Sequence, residues 1–247
     1  MAIDPLQALQ AAHRPVQRPA ALGTLLIAGA TGALGNELVR RLAGTHRHAH
    51  TRVLAREPVK DGLRGVETLL VQGPMHGWPR VQADVALVSF DPPRLYHDRE
   101  RALWTPQPEE LPALAQWLHA CGVRTLAIVQ PHEQGRMPEA LKRGLASMDE
   151  HAVAALGFDR LLFVRSARKP AAARFANPAE RLAAWMLSIS RYMVPSSEQP
   201  VRASKVAEFV DVALRLAPPG VHVAAPEVVW QAAQGELDRV VRGWLGA

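Results

Sequence analysis

The stretch LLIAGATGALGNELVRRL, residues 25–42, constrains this chain more than any other part of it. LLIAGA is a short unbroken apolar run, the pattern of a strand buried on both faces. NELVRRLAG follows, with Leu38 and Leu42 on one helical face. Between the two stand Gly29, Gly32 and Gly35, three residues apart. A loop here must turn tightly, bring its backbone close to what faces it, and lay the helix near the strand, and each task excludes a Cβ. The same loop aims free N–H donors and the positive end of the helix dipole outward, as a phosphate requires. A tight turn with no ligand would use the same glycines, but the strand before and the helix after favour a nucleotide seat. Thr31, Ala33 and Leu34, lying between the glycines, belong to that seat.

The rest of the chain repeats the alternation. TRVLAR, VETLLVQG, ADVALVSF, VRTLAIVQ and DRLLFVR read as strands. PEELPALAQWLHACG reads as a helix, and PEALKRGLASMDEHAVAAL as a long one with Pro138 in its first turn. This predicts an α/β fold: a doubly wound, mostly parallel Rossmann-type sheet with helices on both faces. Residues 1–22 contain three prolines and read as an N-terminal arm, with 23–247 as a single domain. From about residue 166 the pattern turns helical in NPAERLAAWMLSISRYM, ASKVAEFVDVALRLA and PEVVWQAAQGELDRVVRGWL, with VHVAA as a short strand. This smaller C-terminal portion is expected to pack on the sheet, cover its ligand edge and face substrate or partner.

Composition narrows the classes. Of 247 residues, 48% are apolar and 21% charged, an ordinary globular balance with no apolar run of membrane length. Asp4 and Pro5 interrupt what would be the apolar part of a signal peptide, so a cytoplasmic protein is expected, with an organellar transit segment as the alternative. The net charge of +6 is spread along the chain without basic-aromatic clusters, which weighs against nucleic acid. A lone cysteine, Cys121, excludes an internal disulfide and reads as a small apolar filler.

The spacing GATGALG resembles the short-chain dehydrogenase/reductase superfamily, especially its extended and atypical branches, the NAD(P)H-binding or NmrA-like proteins. TRVLARE, CGVRTLAIVQ, FDRLLFVRSA and QPVRASKVAEFVDVAL agree with that branch in order, over about residues 23–235. The resemblance implies a dinucleotide and a small-molecule substrate. An acidic residue ending the second strand would suit NAD(H). Here Arg56 ends it, with Arg52 on the same strand face, so NADP(H) is expected over NAD(H) through an arginine grip on the 2′-phosphate; both arginines could instead be solvated strand ends. Pro74 stands where relatives carry the aspartate that contacts adenine, so the adenine pocket is expected to be built differently. SFDPPR places Phe90 and Asp91 beside the nicotinamide half of the groove.

Reductases of this superfamily use a tyrosine acid, a lysine four residues on, and a serine that orients the carbonyl. Lys142 occupies the lysine position, where it would touch the ribose or simply be solvated. Pro138 stands at the tyrosine position, and Gln130 or Pro131 at that of the serine. Proline donates no proton, so the ordinary mechanism does not run from there. Tyr96 and His132 are the substitutes on the right edge of the sheet. Two readings follow: an oxidoreductase with an altered site, or a non-catalytic module, either a dinucleotide sensor or a scaffold. His46, His48 and His50 alternate in THRHAH, but the loop expected there is far from the ligand edge, so no metal is assigned. VVRGWL near the C-terminus could serve a homo-oligomer or another protein partner.

Overall fold

The computed structural model describes residues 22–59, 64–94, 98–133, 144–168 and 200–246. The strands are β1 (Leu22–Ala28), β2 (His48–Ala55), β3 (Val66–Leu70), β4 (Val85–Ser89), β5 (Thr125–Glu133), β6 (Arg160–Arg168) and β7 (Gly220–Ala224). The helices are α1 (Gly32–Gly44), α2 (Asp98–Ala102), α3 (Leu111–Ala120), α4 (Met148–Ala154), α5 (Ala203–Leu216), α6 (Pro226–Gln234) and α7 (Leu237–Leu245). The strands form one sheet in the order β3-β2-β1-β4-β5-β6-β7, and every pair is parallel. The order reverses at β1, which sets a topological switch point at the carboxyl ends of β1 and β4. This is the expected doubly wound Rossmann arrangement, fully parallel where a mostly parallel sheet was expected.

Strand alternation divides the core. Leu25, Ile27, Leu87, Val129 and Leu162 point to the face covered by α1, α5, α6 and α7. Leu26, Val88, Ile128 and Phe163 point to the other face, where α3 lies. A cluster of indoles closes that second face: Trp78 meets Trp104 and Trp117 edge-on, with centroids 5.0 and 5.3 Å apart. Such contacts add roughly 0.5–1.5 kcal/mol each beyond area burial. Among the described residues no helix is long and apolar enough to cross a membrane.

Several expected boundaries shift. β2 begins at His48, so His48 and His50 belong to a strand and not to a loop. Of the long helix expected from Pro138, the described residues contain the part over Met148–Ala154, capped where the Ser147 side chain accepts the Glu150 N–H and preceded by non-helical residues 144–147; residues 134–143 lie outside the described residues. The last helical stretch breaks at Gly235 into α6 and α7. Residues 203–245 pack on one face of the sheet, α5 lying along α1 through Val206, Phe209 and Val210, and Val201, Ala203 and Val206 also line the pocket beside the glycine loop at the ligand edge. The VVRGWL segment turns inward, with Val241 fully buried and the Trp244 indole N–H donating to Val223 O at 3.1 Å.

Cys121 is buried at the end of α3. Burial pushes its thiol up, against the smaller opposing effects of the Val81 N–H and the Arg80 charge. Folded protein should therefore leave a thiol reagent unreacted at pH 8, and urea should expose one thiol per chain. Native labelling at the rate of a small-molecule thiol would contradict this packing.

Candidate functional site

The glycine loop sits where the sequence puts it, between β1 and α1 at the carboxyl edge of the sheet. Gly29 and Gly32 have φ of +83° and +68°, a region that side chains with a Cβ avoid. A Cβ on Gly29 would lie 1.8 Å from Ser89 O, and one on Gly35 would lie 2.4 Å from Gly29 O. Thr31, the residue before α1, is fully buried; its Oγ1 donates to Asp91 O at 2.6 Å and lies 3.0 Å from Thr105 Oγ1.

The first turn of α1 contains no acidic residue of its own. Two carboxylates come to it from elsewhere in the chain. Gly32 N–H donates to Glu100 Oε2 at 3.0 Å, and Leu34 N–H donates to Asp91 Oδ2 at 2.9 Å. Glu100 is 3% exposed. It also accepts from Asn36 Nδ2 at 2.8 Å, from Arg94 N–H at 2.7 Å and from Arg94 Nε at 2.7 Å. Burial works to raise the Glu100 carboxyl; the hydrogen bonds from Arg94 and Gly32, with the Arg94 charge, outweigh it and hold the group below the usual carboxylate range. The carboxylate is therefore ionised at neutral pH. Donors that would face a diphosphate are matched here to internal anions.

The chain also crosses its own sheet edge. Trp104 N–H donates to Leu54 O at 3.0 Å, and Gly29 N–H donates to Trp104 O at 3.3 Å. Arg56 N–H donates to Ala102 O at 2.7 Å, and Ala55 pairs with Leu103 in an antiparallel bridge. Residues 102–104 thus bridge the carboxyl ends of β1 and β2, on one side of the switch point between β1 and β4.

Beside the loop lies a pocket of about 320 Å³, lined by Ala33, Leu34, Phe90, Asp91, Pro131 and Ser166 among others. It is mostly apolar, with the Asp91 carboxylate and the Ser166 hydroxyl as polar groups. A second pocket, of about 360 Å³, is lined by Arg56, Phe90, Pro92, Glu100 and Thr105 among others.

The structure thus brings together Gly29, Thr31, Gly32, Ala33, Leu34, Gly35, Phe90 and Asp91, with Arg56 at the next pocket. It does not bring Arg52 to them. Arg52 stands four residues before Arg56, about 13 Å back along the strand, and its Nε donates to Glu67 Oε2 of β3 at 2.9 Å. Arg56, the other arginine of the expected grip, is exposed and lines the second pocket. His132 lies in β5 opposite Ala167 of β6. Tyr96 and Lys142 lie outside the described residues. Pro74 precedes a short 3₁₀ turn over Met75–Gly77, and the Trp78 indole N–H donates to Gly73 O at 3.0 Å. The three alternate histidines form no metal cluster among the described residues.

Sequence reasoning missed the partners of the loop. Glu100 and Arg94 lie in PPRLYHDRERALW, a polar stretch with no periodicity to mark one carboxylate as buried. It also missed Ser166, which lines the apolar pocket from β6, opposite Pro131 of β5.

No family model matches the chain, and no curated protein matches it. Solved structures do share its fold. UDP-N-acetylglucosamine 4-epimerase from Bacillus cereus is 12% identical, covers 86% of this chain and 83% of its own, and superposes with a TM-score of 0.45. The enzyme WbmH of Bordetella bronchiseptica, solved in complex with NAD+, is 12% identical over 85% of this chain and 79% of its own, with a TM-score of 0.44. A Rossmann-fold NAD(P)-binding family protein from Shigella flexneri is 16% identical over 68% of this chain and 86% of its own, with a TM-score of 0.37. At such values the likeness concerns fold alone.

Proposed function

We propose that this chain is a nicotinamide-dinucleotide-binding protein of the short-chain dehydrogenase/reductase type, with NADP(H) preferred, and that it lacks the proton donor of the ordinary reductases. The carrying observation is the α1 N-terminus. Its amides at Gly32 and Leu34 each hold an oxyanion, so the donor set fits a diphosphate once the internal carboxylates withdraw. Gly29, Thr31, Gly32, Ala33, Leu34 and Gly35 would cradle the diphosphate, and Arg56 would meet the 2′-phosphate. Phe90 and Asp91 would border the nicotinamide in the apolar pocket. Bound, the dinucleotide would supply hydride chemistry. A proton donor would have to come from elsewhere than residue 138; His132, Tyr96 and Lys142 are the candidates to test. Without one of them the chain works as a sensor of the dinucleotide.

A second reading, a scaffold that takes no nucleotide, is favoured by one observation. The Cβ positions of Gly29, Gly32 and Gly35 all meet the chain's own atoms, so the triplet is required whether or not a nucleotide binds.

Titration with NADPH and NADH, followed by tryptophan fluorescence, separates the readings. Saturable NADPH binding is expected. Arg56→Glu should weaken NADPH roughly ten- to hundred-fold, the worth of one charge-assisted contact, and leave NADH nearly unchanged. Equal losses for both would remove the NADP preference. Absence of binding by either dinucleotide would leave the scaffold.

A further inference from the structure

We infer that Asp91 and Glu100 form an internal mimic of the diphosphate, and that the chain regulates its own nucleotide site by exchanging these carboxylates for phosphates. The inference rests on the dinucleotide reading above and adds to it a mechanism of self-inhibition.

The argument starts from the pairing of charges. A diphosphate presents two anionic groups to the first turn of a helix. Here two carboxylates, from residues nine apart in sequence, meet two amides two apart in α1, Gly32 and Leu34. Neither carboxylate belongs to α1, so neither is held there by local geometry alone. Glu100 is the deeper of the two, and its two oxygens accept from Gly32, Asn36 and Arg94. A carboxylate offers about four lone-pair directions, and these donors account for them. Arg94 is half exposed, with its Nη2 2.6 Å from Glu100 Oε1, so one face of the guanidinium is open to solvent. When Glu100 leaves, Arg94 would be left with an unmatched charge beside the loop. A phosphate arriving at the same amides would restore both the helix-end contact and the arginine pair.

The exchange keeps the count of charge-assisted bonds nearly constant. A switch requires the closed and liganded forms to differ by only a few kcal/mol, and an exchange of like bonds is the kind that meets this condition. Ala102 and Trp104 would move with Glu100, because residues 102–104 hydrogen-bond to Leu54, Arg56 and Gly29 across the same edge. Trp104 therefore reports the exchange through its fluorescence.

The test uses the full chain, wild type and Glu100→Gln, each titrated with NADPH and separately with inorganic pyrophosphate. Two readouts are followed: Trp fluorescence and the amide resonances of Gly32 and Leu34. Glutamine keeps an acceptor for Gly32 but removes the charge that pairs with Arg94. Glu100→Gln should bind NADPH at least ten-fold more tightly than wild type, and its Gly32 resonance should move with pyrophosphate at concentrations that leave wild type unchanged. Asp91→Asn, which loosens the Leu34 contact, should tighten NADPH in the same direction and serves if the first variant does not fold. Equal NADPH affinity in wild type and both variants would overturn self-inhibition while leaving dinucleotide binding in place. Failure of every protein to bind NADPH, with the Gly32 resonance of Glu100→Gln already displaced, would overturn the dinucleotide reading and the mimic with it.

Discussion

Gly29→Ala should cost the folded state about 4 kcal/mol, which few single substitutions reach. Two causes combine. The residue has φ of +83°, where an alanine loses roughly 1–2 kcal/mol to contact between its Cβ and the backbone. The added Cβ would also lie 1.8 Å from Ser89 O and 2.8 Å from Ser89 C. Those atoms belong to the end of β4, a central strand paired on both sides, so they cannot yield without shifting the sheet. Gly65→Ala is the control. Gly65 has φ of +76°, but nothing lies within 4 Å of its Cβ position, so only the backbone penalty applies. Urea denaturation of the two variants should differ by roughly 2–3 kcal/mol, the share due to the β4 overlap. Equal midpoints would mean that the loop relaxes freely and that β1 and β4 are not held as closely as described.

The same residue shows what could be read from the sequence. Glycine spacing, apolar runs and helical periodicity are local signals, and they placed β1, α1, the following strands to within a few residues, and the doubly wound Rossmann class. They also placed Phe90 and Asp91 at the right edge. What they could not carry was the identity of the atoms facing the loop. A glycine tells the reader that something comes close, not whether it is a phosphate or Ser89 O. Glu100 was invisible for the same reason: its burial depends on Arg94, Asn36 and Gly32, which meet it only in three dimensions. Arg52 was misplaced because strand alternation fixes a face but not a position along it, and Glu67 on β3 claims its guanidinium. That Pro138 stands at the tyrosine position of the resembled reductases is read from the sequence alone, and residue 138 lies outside the described residues.

Glu150→Leu should be nearly as damaging as the glycine variant, at about 3–5 kcal/mol, because it removes the carboxylate that pairs with a buried guanidinium. Arg165 is 2% exposed on β6, on the same strand face as Leu161 and Phe163, where burial makes the loss of its carboxylate partner costly. Its Nη2 donates to Glu150 Oε2 at 2.9 Å and to Gly144 O at 2.8 Å. The pair therefore ties β6 to α4 and to the segment that leads into it. Arg165→Leu alone should cost a similar amount, since it leaves the Glu150 carboxylate buried without its cation. The double variant Arg165→Leu/Glu150→Leu should recover most of the loss, because two apolar side chains remove the desolvation penalty together with the attraction. Thermal or urea unfolding of the four proteins gives the coupling directly. A double variant as unstable as the sum of the singles would show that the pair does not act as a unit. Ser166, the next residue along β6, lines the apolar pocket, so the cycle has a second consequence. If the ion pair fixes the end of β6, ligand affinity at that pocket should fall in either single variant and return in the double.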